Sequence, residues 1–143
     1  MIIARGVPGS GKSTAALEYQ KIGYVIVNRD NIRFNLFGAY WGRDVDENVV
    51  TQVENASIEA ALAAGRDVYV DATNLVAKNL KTKLSLGSRY GAFVSYMDFP
   101  VSLAEACFRD QDRISNGERG VGDAVIRKFF DRFKINYESG TLP

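Results

Sequence analysis

Eight consecutive residues, Gly6-Val7-Pro8-Gly9-Ser10-Gly11-Lys12-Ser13, fit the spacing G-x-x-x-x-G-K-[ST] at every fixed position. Glycines at this spacing let the backbone turn tightly, so that successive N–H groups converge on phosphate oxygens. The start of a helix just behind them adds partial positive charge. Lys12 supplies a point charge for the β and γ phosphates, and the Ser13 hydroxyl is a ligand for Mg²⁺. Gly6, Pro8, Gly9, Ser10, Gly11, Lys12, Ser13 and Thr14 are therefore the candidate binders of ATP or another nucleoside triphosphate. The flanks agree: Met1 to Arg5 is a β-prone apolar run, and Ser13 to Gln20, with Ala15, Ala16 and Leu17, reads as a helix.

The motif leaves the acceptor of the phosphoryl group open, since hydrolases, motors and several kinds of kinase share it. Carboxylates at strand ends narrow the choice. An apolar run Tyr24 to Val27 leads into Asn28-Arg29-Asp30, which places Asp30 in the crevice that holds Lys12. Transfer to a hydroxyl needs a carboxylate to orient the alcohol and accept its proton. Arg33 shares a helix face with Asp30, three residues on, and its fork suits an acceptor phosphate. A plain helix cap at Asp30 and a surface charge at Arg33 are the simpler alternatives. Asp67 to Val70 runs into Asp71-Ala72-Thr73-Asn74-Leu75, a strand ending in a carboxylate and followed by polar groups. Asp98 also ends a strand, but Asp71 is preferred because Thr73 and Asn74 follow it. Arg109 and Arg113, four apart, share a helix face and lead into the glycine-bearing loop Ser115 to Gly122, which reads as an arginine-bearing lid. Asp110 and Asp112 leave room for an ordinary solvated charged helix there. Phe34 and Phe37, at helical spacing, read as core, and Cys107 as a small buried apolar residue.

Those residues need a scaffold, and the pattern supplies one. Four short apolar strands (Met1 to Arg5, Tyr24 to Val27, Asp67 to Val70 and Ala92 to Phe99) alternate with helical stretches. The helices are expected over Asp46 to Ala64, Val76 to Tyr90, Val101 to Ile114 and Asp123 to Tyr137, besides the two already named. Alternation of this kind predicts an α/β fold, a parallel sheet covered by helices on both faces. The length of 143 residues suits one domain spanning 1–143, with the lid at about 109–122.

Composition removes whole classes of chemistry. The chain has no His, so Ser-His-Asp and Cys-His catalysis and His-ligated metals are excluded. One Cys allows neither an internal disulfide nor a cysteine metal cluster. No apolar run approaches the ~20 residues of a membrane span, and the residues before the glycine loop are too few for a signal peptide, so no membrane partner and a cytoplasmic setting are expected. With 18 basic and 17 acidic side chains the overall charge is +1, which argues against whole-body attraction to nucleic acid but not against a local basic patch. Residues Trp41 to Asp71 carry seven acidic and two basic groups, read here as one solvated helix face. Nothing in the pattern specifies a second copy of the chain.

Taken together, Gly6-Val7-Pro8-Gly9-Ser10-Gly11-Lys12-Ser13-Thr14, Val27-Asn28-Arg29-Asp30-Asn31-Ile32-Arg33, Asp71-Ala72-Thr73-Asn74-Leu75 and Arg109-x-x-x-Arg113 resemble the 5′-kinase domain of phage polynucleotide kinase/phosphatases. The resemblance runs from the first residue to about Arg127. It implies a P-loop kinase fold with strand order 2-3-1-4, and transfer of the γ-phosphoryl of ATP to a 5′-hydroxyl of DNA or RNA in nucleic acid repair. It implies Asp30 as general base, Arg33 on the acceptor's neighbouring phosphate, Lys12 and Ser13 on the triphosphate, and Arg113 on the donor phosphates with Arg109 in support. Asp71 matches a site carboxylate that orients Arg33 or holds Mg²⁺ through water, with Asn74 beside it toward the acceptor. For a phage-encoded chain the setting is the host cytoplasm. Two departures stand out: Val121 is followed by Gly122 where the family has Pro, and the lid segment Ile114 to Gly120 is longer. The phosphatase signature Asp-x-Asp-Gly-Thr is missing, because Asp44-Val45-Asp46 continues into Glu47; 5′ phosphorylation without 3′ dephosphorylation is the expectation. The rivals are a small-molecule kinase acting on a nucleoside, sugar or antibiotic hydroxyl, where Arg33 would have no phosphate to hold, and a non-catalytic nucleotide-binding module.

Overall fold

The computed structural model describes all 143 residues. In chain order the elements are β1 (Ile2–Arg5), α1 (Lys12–Lys21), β2 (Val25–Asn28), α2 (Arg29–Phe37), α3 (Glu47–Ala63), β3 (Val68–Asp71), α4 (Ala77–Arg89), β4 (Ser95–Asp98), α5 (Leu103–Ser115) and α6 (Asp123–Phe133). The four strands form one parallel sheet in the order β2-β3-β1-β4.

Side-chain alternation explains why the sheet is covered on both faces. Val68 and Val70 point one way with Ile3 and Val27, into a core completed by Ile58 and Ala61 of α3 and Leu86 of α4. Tyr69 points the other way with Ala4, against Ala16 of α1. A third cluster joins α5 and α6 through Leu103, Ala106, Ile126 and Phe130, and it reaches Val7 and Leu75 at the carboxyl ends of the strands. Helices α5 and α6 are thereby packed on the same edge where a doubly wound sheet opens its ligand crevice.

Several elements differ from the sequence expectation. The fourth strand is only Ser95–Asp98: the Ala92 N–H is still spent on the Gly87 carbonyl of α4 at 2.9 Å, and pairing with β1 begins at Ser95 opposite Ile2. The last helix stops at Phe133, where Lys134 adopts φ 53°. The chain then folds back, with the Leu103 N–H donating to the Tyr137 carbonyl at 2.8 Å. Phe34 is not core: it is 48% exposed, and α2 buries no residue fully. Cys107 is half-buried against the α5–α6 cluster.

The acidic middle is solvated only in part: Asp44, Asp46, Glu47 and Asp67 are exposed, whereas Glu54 and Asp71 are buried. Glu47, Thr51 and Glu54 lie at i, i+4 and i+7 on α3 and turn toward α2, where Arg29 donates to all three, at 2.8, 3.0 and 2.8 Å. Glu54 is 1% exposed, and its other oxygen faces the buried Lys83 ammonium at 3.0 Å as an ion pair without hydrogen-bond alignment. These pairs bind α2, α3 and α4 into one unit under the crevice.

Candidate active site

The glycine loop leaves β1 and is tied across to the end of β3 by the Gly6 N–H, which donates to the Thr73 carbonyl at 3.1 Å. Gly9 sits at φ 81°, and a Cβ there would lie 2.7 Å from the Ala106 carbonyl oxygen of α5. Gly11, at φ 99°, caps α1 with no side chain, and the space where its Cβ would stand is open. The uncapped first turn of α1 therefore faces a cradle that an anion can fill. Lys12 is buried; its ammonium donates to the Val7 carbonyl at 2.8 Å and the Ser10 hydroxyl at 3.2 Å, with no carboxylate bonded to it. Burial pushes its pKa down to about 8; Asp71 and Asp30 oppose that shift and Arg113 adds to it. The Tyr69 hydroxyl, its pKa raised by burial, donates to the Lys12 carbonyl at 2.9 Å and fixes the backbone there.

Asp71 ends β3 at the centre of the sheet and is 4% exposed. One of its oxygens accepts from the Ser13 hydroxyl at 2.8 Å and from the Asn28 amide at 2.7 Å. Asn28 also caps α2, its carbonyl oxygen accepting from the Asn31 N–H at 2.8 Å. The sheet register explains the meeting, since Asn28, Asp71 and Ala4 are lateral neighbours on three strands. Asp98, the alternative strand-end carboxylate, instead forms a two-pronged ion pair with Arg5 at 2.6 Å and lies outside the crevice.

On the facing side, Asp30 stands in the first turn of α2. Arg33 donates to one of its oxygens at 2.7 Å, and Arg119 from the loop between α5 and α6 donates to the other at 3.0 Å. Arg33 is also gripped by both oxygens of Glu47, at 2.7 and 3.0 Å. Asn74 turns its side chain to the strands: its amide donates to the Ala4 carbonyl at 2.6 Å, and its oxygen accepts from Lys83 at 2.8 Å. Its left-handed φ of 50° is the strained turn that makes this reach possible.

All these groups meet in one cavity of about 660 Å³. Pro8, Gly9, Gly11, Lys12, Ser13, Asp30, Arg33, Asp71, Asn74 and Arg113 line it, so the glycine loop and the Asp30–Arg33 pair face each other across one space. Its wall carries seven lysines and arginines against four carboxylates, the local basic patch that the overall charge of +1 conceals. Ser10 and Thr14 line a second cavity of about 610 Å³ behind the loop, together with Phe99 and Phe108. Arg109 lies there too and not in the main cavity, held by Glu105 at 2.7 Å and reaching the Gly9 carbonyl at 3.3 Å. Arg113 borders both cavities and is engaged in no ion pair. Asp110, rather than being solvated, is 1% exposed and accepts from the Val121 and Gly122 N–H groups at 2.9 and 2.8 Å, which ties the end of the α5–α6 loop to α5.

Sequence reasoning missed Arg29, Glu47, Lys83 and Arg119. The i, i+4, i+7 polar stripe of α3 was a signal for Glu47; nothing local announces Arg119, which reaches Asp30 across 89 residues.

The chain is 28% identical, over 95% of its length, to the "Putative bifunctional polynucleotide kinase/RNA ligase" of Autographa californica nuclear polyhedrosis virus, of which the match spans 21%. Its fold superposes on a chain of a Pnkp1/Rnl/Hen1 RNA repair complex with a TM-score of 0.78, at 27% identity, covering 99% of this chain and 48% of that one. A second structure of a Pnkp1/Rnl/Hen1 complex gives 33% identity and a TM-score of 0.68, over 76% of this chain and 38% of the other. The chain thus spans less than half the length of these relatives. The four-stranded 2-3-1-4 sheet, its helices on both faces and the phosphate loop make a P-loop kinase-type α/β fold. Residues 1–135 match the model of the AAA domain family, and the chain belongs to that family.

Proposed function

We propose that this chain transfers the γ-phosphoryl group of ATP or another nucleoside triphosphate to the 5′-hydroxyl end of DNA or RNA, with residues 1–143 acting as one domain and 109–122 as its lid. The observation that carries the proposal is the Asp30–Arg33 pair, 2.7 Å apart at the end of β2 and facing Lys12 and Arg113 across one cavity. A carboxylate beside an arginine fits an acceptor whose hydroxyl neighbours a phosphate. The names of the relatives, a polynucleotide kinase/RNA ligase and an RNA repair complex, support the same substrate class.

The acceptor oxygen attacks the γ-phosphorus, the bond from that phosphorus to the β–γ bridging oxygen breaks, and the nucleoside diphosphate leaves. Asp30 takes the hydroxyl proton, and Arg33 holds the adjacent phosphate. Lys12, whose buried ammonium lacks an anionic partner, and the open turn at Gly11 fit a triphosphate. Arg113 meets charge on the donor phosphates, with Arg109 supporting the loop from behind. The Ser13 hydroxyl and the Asp71 carboxylate, 2.8 Å apart, are an oxygen set that fits Mg²⁺, which when bound neutralises phosphate charge.

The test is transfer from γ-labelled ATP with Mg²⁺ to a 5′-hydroxyl oligonucleotide, beside a 5′-phosphate control and a panel of nucleosides and sugars. Label on the 5′-hydroxyl strand alone is expected. Transfer to a nucleoside or sugar but to no strand would replace the proposal with a small-molecule kinase. Asp30→Ala is expected to cut turnover about 10²–10⁴-fold with ATP binding retained.

A further inference from the structure

The last turns of α2 and the loop after it carry exposed aromatic surface. Trp41 is 61% exposed and Phe34 is 48% exposed. The two are linked through Tyr40, whose ring stacks on Phe34 at 5.0 Å and 20° and meets Trp41 at 6.4 Å and 37°. The Arg119 guanidinium lies over the Tyr40 ring at 3.9 Å while its other contact is Asp30. Tyr40 and Trp41 belong to the wall of the cavity that contains Asp30 and Arg33, so the aromatic row begins at the acceptor side and runs outward. Arg43, two residues past Trp41, is exposed and joined to no carboxylate.

We infer that Phe34, Tyr40 and Trp41 form a stacking ledge for the bases of a single-stranded acceptor beyond its terminal nucleotide, with Arg119 and Arg43 meeting its phosphates. The inference rests on the reading of the cavity as a site for strand ends. Aromatic faces accept any base, and arginines beside them track the backbone. The occupant is a strand rather than a protein because the row is continuous with the acceptor cavity and flanked by cations.

Trp41 is the one tryptophan of the chain, which gives the ledge its own optical signal. The intact protein is titrated with a nucleoside 3′-monophosphate and with 5′-hydroxyl oligonucleotides of two, four and eight residues, following Trp41 emission; KM and kcat are measured for the same series. Wild type is expected to show emission quenching and a falling KM as the strand lengthens, and little quenching by the monophosphate. Trp41→Ala is expected to raise KM for the tetranucleotide about tenfold more than for the monophosphate, with kcat for the strand within about twofold, and Trp41→Phe to restore most of the difference.

A KM that is flat across the length series would overturn the inference, as would an equal effect of Trp41→Ala on both acceptors. So would a dimer in sedimentation that Trp41→Ala dissolves, since the ledge would then be an interface between copies. Failure of transfer to every strand, with strand-dependent quenching intact, would overturn the kinase reading and leave the ledge standing. Absence of both would remove the two together.

Discussion

Lys12 makes triphosphate binding a proton-linked event whose size follows from its surroundings. Burial lowers its pKa from the ordinary 10.5 to about 8, and the free ammonium is satisfied only by the Val7 carbonyl and the Ser10 hydroxyl. A polyphosphate seated on the loop brings the missing counter-charge and returns the pKa toward its ordinary value. Binding must then draw in about 0.9 proton at pH 9 but only about 0.1 at pH 7. Affinity for a non-hydrolysable ATP analogue should fall about tenfold between those two pH values. Calorimetric titration in two buffers of different ionisation heat reads the proton uptake directly. The chain has no His to titrate in this range, and the Cys107 thiol is pushed up, away from it. Lys83 is also lowered by burial, so Lys12→Met is the control: it should bind weakly with a nearly pH-independent affinity and no excess uptake at pH 9. Uptake below about 0.2 proton at pH 9, or equal uptake by Lys12→Met, would refute the reasoning. Stability carries the opposite sign. Between about 8 and 10.5 the unfolded chain binds more protons at this residue than the folded one, so stability rises with pH there, and below that window the full penalty of about 3 kcal/mol for burying the charged amine is present.

Three further outcomes test the frame around the site. Glu54→Gln leaves the buried Lys83 and Arg29 without their shared counter-charge, and urea unfolding should register a loss of about 3–5 kcal/mol; a change under about 1 kcal/mol would show that water replaces the carboxylate. Asp110→Ala strips the Val121 and Gly122 N–H groups of their acceptor, so cleavage by a protease within 116–122 should accelerate and stability should drop about 1–3 kcal/mol; an unaltered cleavage rate would mean that the lid loop is held elsewhere. Gly140→Ala would drive a Cβ into the Val101 backbone at a φ of 66°, and a thermal midpoint within about 2 °C of wild type would contradict the packing of the returning tail.

The parts of the molecule legible from sequence are those built from near neighbours. Gly6 to Ser13 carry their geometry in their own spacing, and Asn28, Asp30 and Asp71 are placed by where apolar runs stop. Strand order came through the resemblance, because four short apolar runs do not state which lies beside which. The misreadings share a different cause. The acidic residues of α3 look solvated until Arg29 and Lys83, 25 and 29 residues from Glu54, arrive to pair with it. Phe34 has the spacing of a core residue, yet α2 turns Ile32 toward the core and buries no residue fully, so the aromatic is left outside. Arg119 belongs to a loop that gives no periodic signal, and only the approach of that loop to α2 brings it to Asp30. Arg109 and Arg113 share a face of α5 as their spacing says, but Arg109 is drawn behind the loop by Glu105 and the Gly9 carbonyl, contacts that spacing alone does not announce.

The bond pattern of Asn28 restricts the alphabet available at that position. Its two ends are spent on different partners, an acceptor for the Asn31 N–H and a donor to Asp71. Among the good helix-capping residues, Asp would keep the first bond but set a second carboxylate against Asp71, while Ser and Thr would cap without the arm to reach the neighbouring strand. Gln has both functional groups and one methylene too many to cap. A single letter out of twenty satisfies both requirements, so random mutagenesis followed by selection for activity should return this codon almost unvaried while its exposed neighbour Asn31 drifts.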